Sequence, residues 1–388
     1  MACGASVANM YYAQPLLHTL ALAFHVSNGT GGLLVTIAQV GYVLGLAFLV
    51  PLGDLLERRR LIISTMLLVA AGQGLAAAAP SFGLFALAVA VVGIGACMAQ
   101  VIVPMSSSLA AEHERGRVVG TVMSGLLIGI LLARTVSGLI AGAWGWRIVF
   151  VVAAGVMVAL AATLRRFLPP VPSTQQMPYR ALLASVFGLI VEEPVLRQRM
   201  VLGGLAFGCF SILWTSLAFL LSGPPFHYGN TTIGLFGLAG VAGASVAPVA
   251  GRLADRGHGR IAATATLIIL LGSWGLLALG RNEVPVLLAG IVVLDLGAQG
   301  IHISNQSAIY ALQPEARSRL TTAYMVAYFL GGAVLSALTS ALYSSGGWSS
   351  VCVLGTATAG AALLIWLVSD AVLRRGGPVG RSMLGQEH

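Results

Sequence analysis

The sequence predicts an all-helical integral membrane protein with twelve transmembrane helices, arranged as two pseudo-symmetric six-helix bundles. Composition is the first reason: 57% of the residues are apolar and 9% are charged, whereas an ordinary soluble domain carries about 25% charged residues. The second reason is that apolar runs near the ~20 residues needed to cross a bilayer recur along the whole chain. The third is that landmarks of the first half return in the second half at a nearly fixed offset.

The apolar runs divide the chain into twelve spans. Each is predicted to be a helix, because an isolated strand leaves its backbone polar groups unpaired in lipid. The chain opens directly in an apolar span without a basic leader, which predicts no cleavable signal. The predicted spans are 1–23, 31–52, 61–79, 82–107, 118–143, 146–164, 198–222, 231–251, 261–280, 284–308, 320–343 and 348–370.

The arginines predict the orientation of these spans. The sequence has no lysine, so its net charge of +9 comes from 21 arginines against 12 acidic residues. Eighteen arginines lie on the even-numbered connections and the C-terminal tail, while only Arg147 and Arg281 lie on the opposite side and Arg134 lies inside a span. Positive loops stay on the cytoplasmic side, so both termini are predicted to be cytoplasmic in an inner membrane. Because this charge sits in short loops, we expect a lipid bilayer and no nucleic acid as its partner.

The longest connection divides the chain. We expect an N-terminal bundle at 1–164, a cytoplasmic linker at 165–197, a C-terminal bundle at 198–372 and a cytoplasmic tail at 373–388. The linker begins with a proline-rich breaker run, Leu168–Ser173. Apolar residues then fall on one helical face, which predicts a short helix on the membrane surface; a plain tether is the alternative. These residues are Leu182, Leu183, Val186, Phe187 and Ile190.

Internal repetition indicates that the two halves arose by duplication. Two pairs of landmarks lie 202 residues apart: Arg115 and Arg117 against Arg317 and Arg319, and Gly145–Trp146 against Gly347–Trp348. Two packed repeats around one pathway are a common transporter design.

Two acidic–basic turns, in Val50–Ile62 and Ala250–Ile261, carry a family resemblance. The chain resembles the major facilitator superfamily over essentially its whole length, and these turns resemble that family's motif between the second and third helices and between the eighth and ninth. The resemblance implies a cytoplasmic latch that joins helices in the outward-facing state. The first copy departs from the motif at Val50, Leu55 and Glu57. The matching residues are Gly53, Asp54, Arg58 and Arg59, and then Gly251, Asp255, Arg256 and Arg260.

The fifth span resembles the motif of the superfamily's exporters, but only in part. That motif reads G-x-x-x-G-P-x-x-G-G. This chain keeps Gly129 and Gly138, and places Ala133 and Ser137 at two of the glycines and Arg134 at the proline. The fourth span also has Val89 near the position where drug exporters carry an arginine. Export is therefore the direction that a partial resemblance implies.

Arg134 and Asp295 are the two charges placed deepest in the predicted spans. Each costs ~2.5–3.5 kcal/mol to insert at mid-membrane, so each should face protein or water and have a partner. Removal of water favours the neutral form of a carboxyl, which makes Asp295 the candidate for proton coupling, with a purely structural carboxylate as the alternative. Arg134 is either a site for an anion or partner carboxylate, or one half of a fixed salt bridge.

The family resemblance also implies which residues face the substrate cavity, because the first, fourth, seventh and tenth helices line it in this superfamily. Each of these side chains has the alternative role of joining helices. A cavity of aromatic and amide groups suits a neutral or amphipathic organic solute better than a polyanion. Besides Asp295, the residues are Asn9, Tyr12, Gln14, Gln100, Trp214 and His302, with Tyr324 and Tyr328 of the eleventh span.

Other classes of protein fit less well. A chain without lysine lacks the phosphate loop of an ATP-driven pump. Seven histidines and four scattered cysteines show no catalytic or metal-binding spacing, so we expect neither an enzyme nor a metal or cofactor. The prediction is a monomeric secondary transporter that moves a small organic solute by alternating access, with proton-coupled export as its activity. An uptake symporter, a channel and a receptor derived from a transporter remain alternatives.

The arginine bias gives a testable topology. Reporter fusions placed after Arg60 and after Arg381 should be active only as cytoplasmic reporters, as should one placed in the 165–197 linker. A periplasmic signal at any of these three positions contradicts the predicted orientation.

The latch resemblance gives a second prediction. Asp54→Asn should slow transport and leave substrate binding intact, because the loop biases the conformational equilibrium and does not contact the solute. Transport rate and equilibrium binding should be measured on the same purified variant. Loss of binding in a correctly folded protein argues against a latch.

Overall fold

The computed structural model describes residues 1–109, 111, 114–170, 178–240, 259–313 and 316–375. Within these ranges every regular element is helical. The helices are α1 (Ala2–Ala8), α2 (Leu17–Ala23), α3 (Asn28–Leu44), α4 (Val50–Leu55), α5 (Arg58–Ala78), α6 (Phe82–Ala96), α7 (Ala99–Leu109), α8 (Arg115–Trp144), α9 (Trp146–Phe167), α10 (Tyr179–Glu192), α11 (Pro194–Ser222), α12 (Asn230–Leu235), α13 (Gly259–Leu279), α14 (Val284–Tyr310) and α15 (Arg317–Arg375).

Nine helical segments of the described residues are long and apolar enough to cross a membrane. The last of them contains two predicted spans, because α15 turns at Gly347, whose φ of 59° and ψ of −151° are not helical. We call residues 317–346 and 348–375 the first and second arms of α15. The first predicted span consists of α1 and α2, and the eighth begins with α12 and continues outside the described residues. The structure therefore has the multi-spanning helical fold that the composition predicts.

Three spans are interrupted along their length. The first span tightens between α1 and α2, where backbone bonds run to the third residue back and a 3-10 turn at Gln14–Leu16 contains Pro15. The second span widens into a π-turn at Gly45–Leu49, and the fourth breaks between α6 and α7. Such breaks leave backbone groups in need of partners inside the membrane, so they are tolerated only where protein or a cavity supplies them.

The duplication is visible in backbone conformation. Gly145 and Gly347 both have positive φ, 87° and 59°, at the start of the sixth and twelfth spans. A positive φ is accessible to glycine without the steric cost that a Cβ brings. His25 and His227 also share a positive φ, 54° and 52°, in the equivalent first connection of each half. The same local geometry therefore recurs at the same offset as the sequence landmarks.

Paired glycines bring equivalent helices into backbone contact in each half. In the first half a Cβ on Gly129 of α8 would clash with the carbonyl oxygen of Gly4 in α1, and a Cβ on Gly4 would clash with that of Gly125. In the second half a Cβ on Gly331, in the first arm of α15, would clash with the carbonyl oxygen of Gly204 in α11. Without water-driven association, close packing of small residues is a main attraction between membrane helices.

The two halves meet near one end of the bundle, which we call the gate end. It carries the connections at 24–27, 79–81, 145, 223–229, 280–283 and 345–347. Between that end and the centre, the Thr19 hydroxyl donates to the Asn230 side chain at 2.7 Å, and the Thr135 hydroxyl donates to the carbonyl of Gly234 at 3.0 Å. A Cβ on Gly138 would lie 2.8 Å from the Gly234 Cα, so α8 and α12 cross here with almost no space between them.

Hydroxyl and amide groups extend this contact toward the centre, on the other side of the bundle. The Thr36 hydroxyl donates to Ser336 at 3.2 Å, and Ser336 lies 3.0 Å from the Thr215 hydroxyl. Gln39 of α3 donates to the Ser211 hydroxyl of α11 at 2.9 Å. These contacts join the first half to the second, so the described structure is closed at the gate end.

The opposite end carries most of the arginines, and we call it the arginine end. An open cleft of about 220 Å³ lies here beside the first turns of α8, lined by Glu114, Arg117, Val118, Thr121 and Val122. The linker helix α10 also lies at this end, where the Tyr179 hydroxyl donates to the carbonyl of Phe48 at 3.0 Å.

Helix α10 shows which linker residues meet the protein. Leu182 and Leu189 are buried, while Phe187 of the predicted apolar face is 70% exposed. The helix therefore rests on the bundle through two leucines and presents Phe187 away from it, as expected for a side chain that enters a membrane surface.

The close contact between α8 and α12 predicts the effect of a larger side chain at Gly138. Gly138→Val should push α8 away from α12 and shift the equilibrium toward states open at the gate end, because the isopropyl group has no space beside Gly234. Labelling of Ser340→Cys by a membrane-impermeant thiol reagent should then become faster, since Ser340 is buried in the closed gate.

Gly120→Val is the matched control, since it lies on the same helix and a Cβ there meets no atom within 4 Å among the described residues. The four native cysteines are all buried, which keeps background labelling low. Equal labelling in both backgrounds contradicts the role of the Gly138–Gly234 contact.

Candidate functional site

Arg134 lies at the centre of the molecule and is only 2% exposed. It is about 15 Å from the gate end of α8 at the usual helical rise. Its Nε donates to the Gln14 side-chain oxygen at 2.7 Å. Three aromatic rings surround the guanidinium, with Trp214 at 4.0 Å, Tyr11 at 4.6 Å and Phe210 at 5.3 Å from its central carbon. Desolvated cation–π contacts of this kind contribute about 2 kcal/mol or more.

Asp295 lies at the edge of the Trp214 ring. It is 4% exposed, and the indole Nε1 donates to its Oδ1 in a long hydrogen bond of 3.5 Å. One face of the indole therefore meets a cation while its N–H points toward an anion. Arg134 belongs to the first half and Asp295 to the second, so Trp214 links opposite charges across the interface between the halves.

The break in the first span is what brings Gln14 and Tyr11 to Arg134. Tyr11 N–H donates to the Ala8 carbonyl, and Gln14 N–H donates to the Tyr11 carbonyl, so this stretch is wound more tightly than an α-helix. Pro15 follows directly and supplies no N–H of its own. From α8, the Ser137 hydroxyl donates to the carbonyl of Tyr12 at 2.6 Å. This bond gives a partner to one backbone group of the interrupted helix.

Tyr11 and Phe210 are site residues that sequence reasoning missed. The spacing signal for Tyr11 is present, because it lies three residues before Gln14 and shares its face. Phe210 likewise lies four residues before Trp214. Neither residue interrupts its apolar surroundings in the way that a charge or an amide does, so neither stands out in the sequence.

Tyr12 is a predicted cavity residue. It is half-buried, and its side chain is not among the groups around Arg134.

Asn9 faces the interior of the first half. Its side-chain nitrogen donates to the Ala5 carbonyl at 2.6 Å, and its oxygen accepts from Gln73 of α5 at 2.7 Å. Asn9, Gln14 and Gln73 line an enclosed cavity of about 20 Å³, room for about one water molecule. Gln100 is half-buried and lies beside the ring of Tyr42, in the same half.

His302, Tyr324 and Tyr328 form a second cluster in the other half. The His302 Nδ1 lies 3.0 Å from the Tyr324 hydroxyl, and its ring centre lies 4.6 Å from that of Tyr328. Asn305 donates to the same hydroxyl at 3.5 Å and accepts from Arg199 at 3.3 Å. The cluster extends from the arginine end of α11 and α14 toward the centre.

Stacked rings connect this cluster with the Arg134 site. The ring of Tyr328 stacks on Phe207 at 4.3 Å, and Phe207 stacks on Phe210 at 5.5 Å. Phe210 in turn lies against Arg134. The structure therefore places Asp295, His302 and Tyr328 along one continuous aromatic and polar file in the second half.

The latch residues are described only in part. Arg58 Nε donates to the carbonyl of Gly53 at 3.0 Å, and Arg59 donates to the carbonyl of Arg165. Gly53 packs on Val101, where a Cβ would lie 3.2 Å from a valine methyl carbon. Arg260 lies at the start of α13. The Asp54 side chain and the residues Gly251, Asp255 and Arg256 lie outside what the structure describes.

No group of three or more His, Cys, Asp or Glu side chains is placed to hold a metal ion within the described ranges. The central polar groups are instead one guanidinium, one carboxyl, an amide and aromatic donors.

Two helical halves that close at one end over a buried charge pair define a multi-pass membrane transporter. A family model described as Major Facilitator Superfamily matches residues 1–312 and 226–383. The chain belongs to the major facilitator superfamily.

Its relatives are similarly named. The chain is 50% identical over 366 residues to the putative uncharacterized transporter YgaY of Escherichia coli (strain K12), covering 94% of this chain and 93% of that protein. It is 36% identical over 370 residues to the probable transporter SCO4007 of Streptomyces coelicolor, covering 95% and 84%. A crystal structure of a variant of the nucleoside transporter NupG has a TM-score of 0.75 at 13% identity, covering 95% and 98%, which shows the shared fold.

The bond between Gln14 and Arg134 gives a prediction for stability. Gln14→Leu should lower the thermal unfolding midpoint in detergent, because a buried charged donor that loses its acceptor costs about 1–3 kcal/mol or more. Gln14→Glu keeps an acceptor at the same position and should leave the midpoint equal or higher. Equal midpoints for the wild type and the leucine variant contradict a structural role for this bond.

Proposed function

We propose that this protein is a proton-coupled secondary active transporter of a small organic solute, with Asp295 as the proton-coupling group. The observation that carries the proposal is the position of Asp295. It is buried on the second half, beside a cation of the first half, at the centre of a bundle that closes at one end. A carboxyl in this place exchanges a proton only when the halves move, which is what alternating access requires.

The proton acts through charge in this proposal. When Asp295 is ionised, its charge lies beside the indole that also contacts Arg134, and the centre is neutral overall. When Asp295 takes a proton, the centre carries the uncompensated charge of Arg134. The two states favour different solutes and different packing of the halves, so the proton biases the conformational equilibrium.

Export is the first candidate direction. It is supported by the partial match of α8 to the exporter motif, and small residues of that match, Gly138 above all, lie in the gate contact with α12. A neutral or cationic solute that displaces the proton from Asp295 would move against the proton, out of the cell.

Uptake together with a proton is the second candidate direction, and the balanced Arg134–Asp295 pair favours it. In both directions both termini and the 165–197 linker are cytoplasmic, the chain works as a monomer in the inner membrane, and residues 1–164 and 198–372 are the two moving bundles.

Asp295→Asn tests the proton role, because it keeps shape and polarity while fixing the neutral state. In proteoliposomes a pH gradient should no longer drive accumulation of solute above its external concentration, while downhill exchange continues. Glu283→Gln is the matched control, because this substitution also replaces a carboxylate by an amide, but at an exposed position of the gate end.

Accumulation by the asparagine variant with the wild-type dependence on pH would show that Asp295 is structural. A protein that binds solute without flux would be a receptor, and flux that does not saturate would indicate a channel.

A further inference from the structure

The guanidinium of Arg134 has an unused donor. Its Nη2 is buried and has no hydrogen-bond partner among the described residues. Arginine carries five N–H donors in a fixed fork, and Gln14 occupies only the Nε position. Buried charged donors are normally satisfied, because leaving one unpaired is costly. An arginine held in this way is prepared for a further acceptor.

The described surroundings of Arg134 leave that position open to an acceptor from a bound solute. Tyr11, Phe210 and Trp214 approach the guanidinium with their ring faces, which stabilise its charge but accept no conventional hydrogen bond. Asp295, the nearest carboxylate of the second half in this arrangement, is engaged by the indole N–H of Trp214. The site therefore supplies charge compensation without filling the fork of the guanidinium.

We infer that the transported solute is an amphipathic organic anion whose carboxylate binds the Nη2 side of Arg134 and whose apolar body packs on Tyr11, Phe210 and Trp214. This rests on the proposed transport function and names its substrate class. A carboxylate matches the planar donor fork of arginine with two parallel hydrogen bonds. The aromatic rings provide the apolar, flat surfaces that an organic solute needs beside its charge.

The charge balance of the site assigns the coupling. Arg134 and Asp295 together are neutral, and a bound carboxylate adds one negative charge. Protonation of Asp295 restores neutrality, so the anion and the proton enter the site together and move in the same direction. This outcome selects uptake with a proton, the second candidate direction, over export of a neutral solute.

The titratable groups that face Asp295 leave this assignment intact. Among the described residues they are Arg134 of α8, Tyr11 of the first span and Tyr328 of α15, with His302 two turns away on α14 itself. The tyrosines are hydroxyl groups that are neutral near pH 7, and the His302 ring nitrogen lies against Tyr324.

The test measures binding in detergent, apart from any transport. Probes are benzoate, phenylacetate, indole-3-acetate and octanoate, each paired with its primary amide, which keeps the shape and removes the charge. At least one carboxylate should raise the thermal midpoint of the wild type at lower concentration than its amide. Arg134→Gln should weaken binding of that carboxylate about ten-fold or more, the usual loss when a charge-assisted hydrogen bond disappears. The affinity of Arg134→Lys for the carboxylate should lie between those of the wild type and Arg134→Gln.

A second variant keeps the test decisive if Arg134→Gln does not fold. Gln14→Glu places a carboxylate of the protein against Arg134, so it should weaken binding of the carboxylate probe and leave its amide unaffected. Asp295→Asn should do the opposite: it mimics the protonated state, so the carboxylate should bind at least as tightly as to wild type and with less dependence on pH.

Each result decides between outcomes. Equal binding of carboxylates and amides, no response to any carboxylate, or unchanged carboxylate binding in both Arg134→Gln and Gln14→Glu overturns the inference. Carboxylate binding through Arg134 without flux driven by a pH gradient supports the anion site and overturns the transport proposal. Flux of an amide that is driven by a pH gradient and independent of Arg134 supports the transport proposal and overturns the anion site.

Discussion

A single guanidinium in an apolar environment sets the arrangement of the centre. The charge of Arg134 cannot reach water from the middle of α8, so the protein must compensate it from several helices at once. Gln14 comes from the broken first span, and Trp214 from α11. The tightened backbone before Pro15 is tolerated because it delivers the amide and the ring of Tyr11 to this charge. The broken first span and the aromatic residues of α11 therefore converge on one buried arginine.

The same charge connects the site with the movement of the halves. Trp214 contacts Arg134 across the interface and reaches Asp295 on its own side. Any motion that separates the halves must separate the cation from the indole and from the carboxyl that the indole N–H contacts. Closure at the gate end depends on a different interaction, the backbone contact of α8 with α12 at Gly138 and Gly234. Both interactions lie on α8, so the helix that carries the charge also carries the gate.

Part of the site was predictable from the sequence because polar residues are conspicuous in apolar spans. Arg134, Asp295 and Gln14 stand out on that ground, and Trp214 lies on a span that the family resemblance places at the cavity; the structure brings them together. Tyr11 and Phe210 do not stand out, since an aromatic residue in an apolar run carries no sign of which face it occupies. Asn9 illustrates the converse: its amide is equally conspicuous, yet it pairs with Gln73 inside the first half. Polarity identifies candidates, and helix rotation decides which neighbour each one meets.

The sequence by itself determined the class of fold, the span positions and the internal duplication. These follow from composition, from the length of apolar runs and from repeated landmarks, which are local properties of the chain. Only the tertiary structure decided that Trp214 contacts both Arg134 and Asp295, that a guanidinium donor stays unused, and that the halves close at the end marked by Gly145 and Gly347. The physical reason is that these features depend on the rotation and crossing of helices far apart in sequence. Those are set by the contact of small residues such as Gly4 with Gly129, and an apolar run of a given length is compatible with many such crossings.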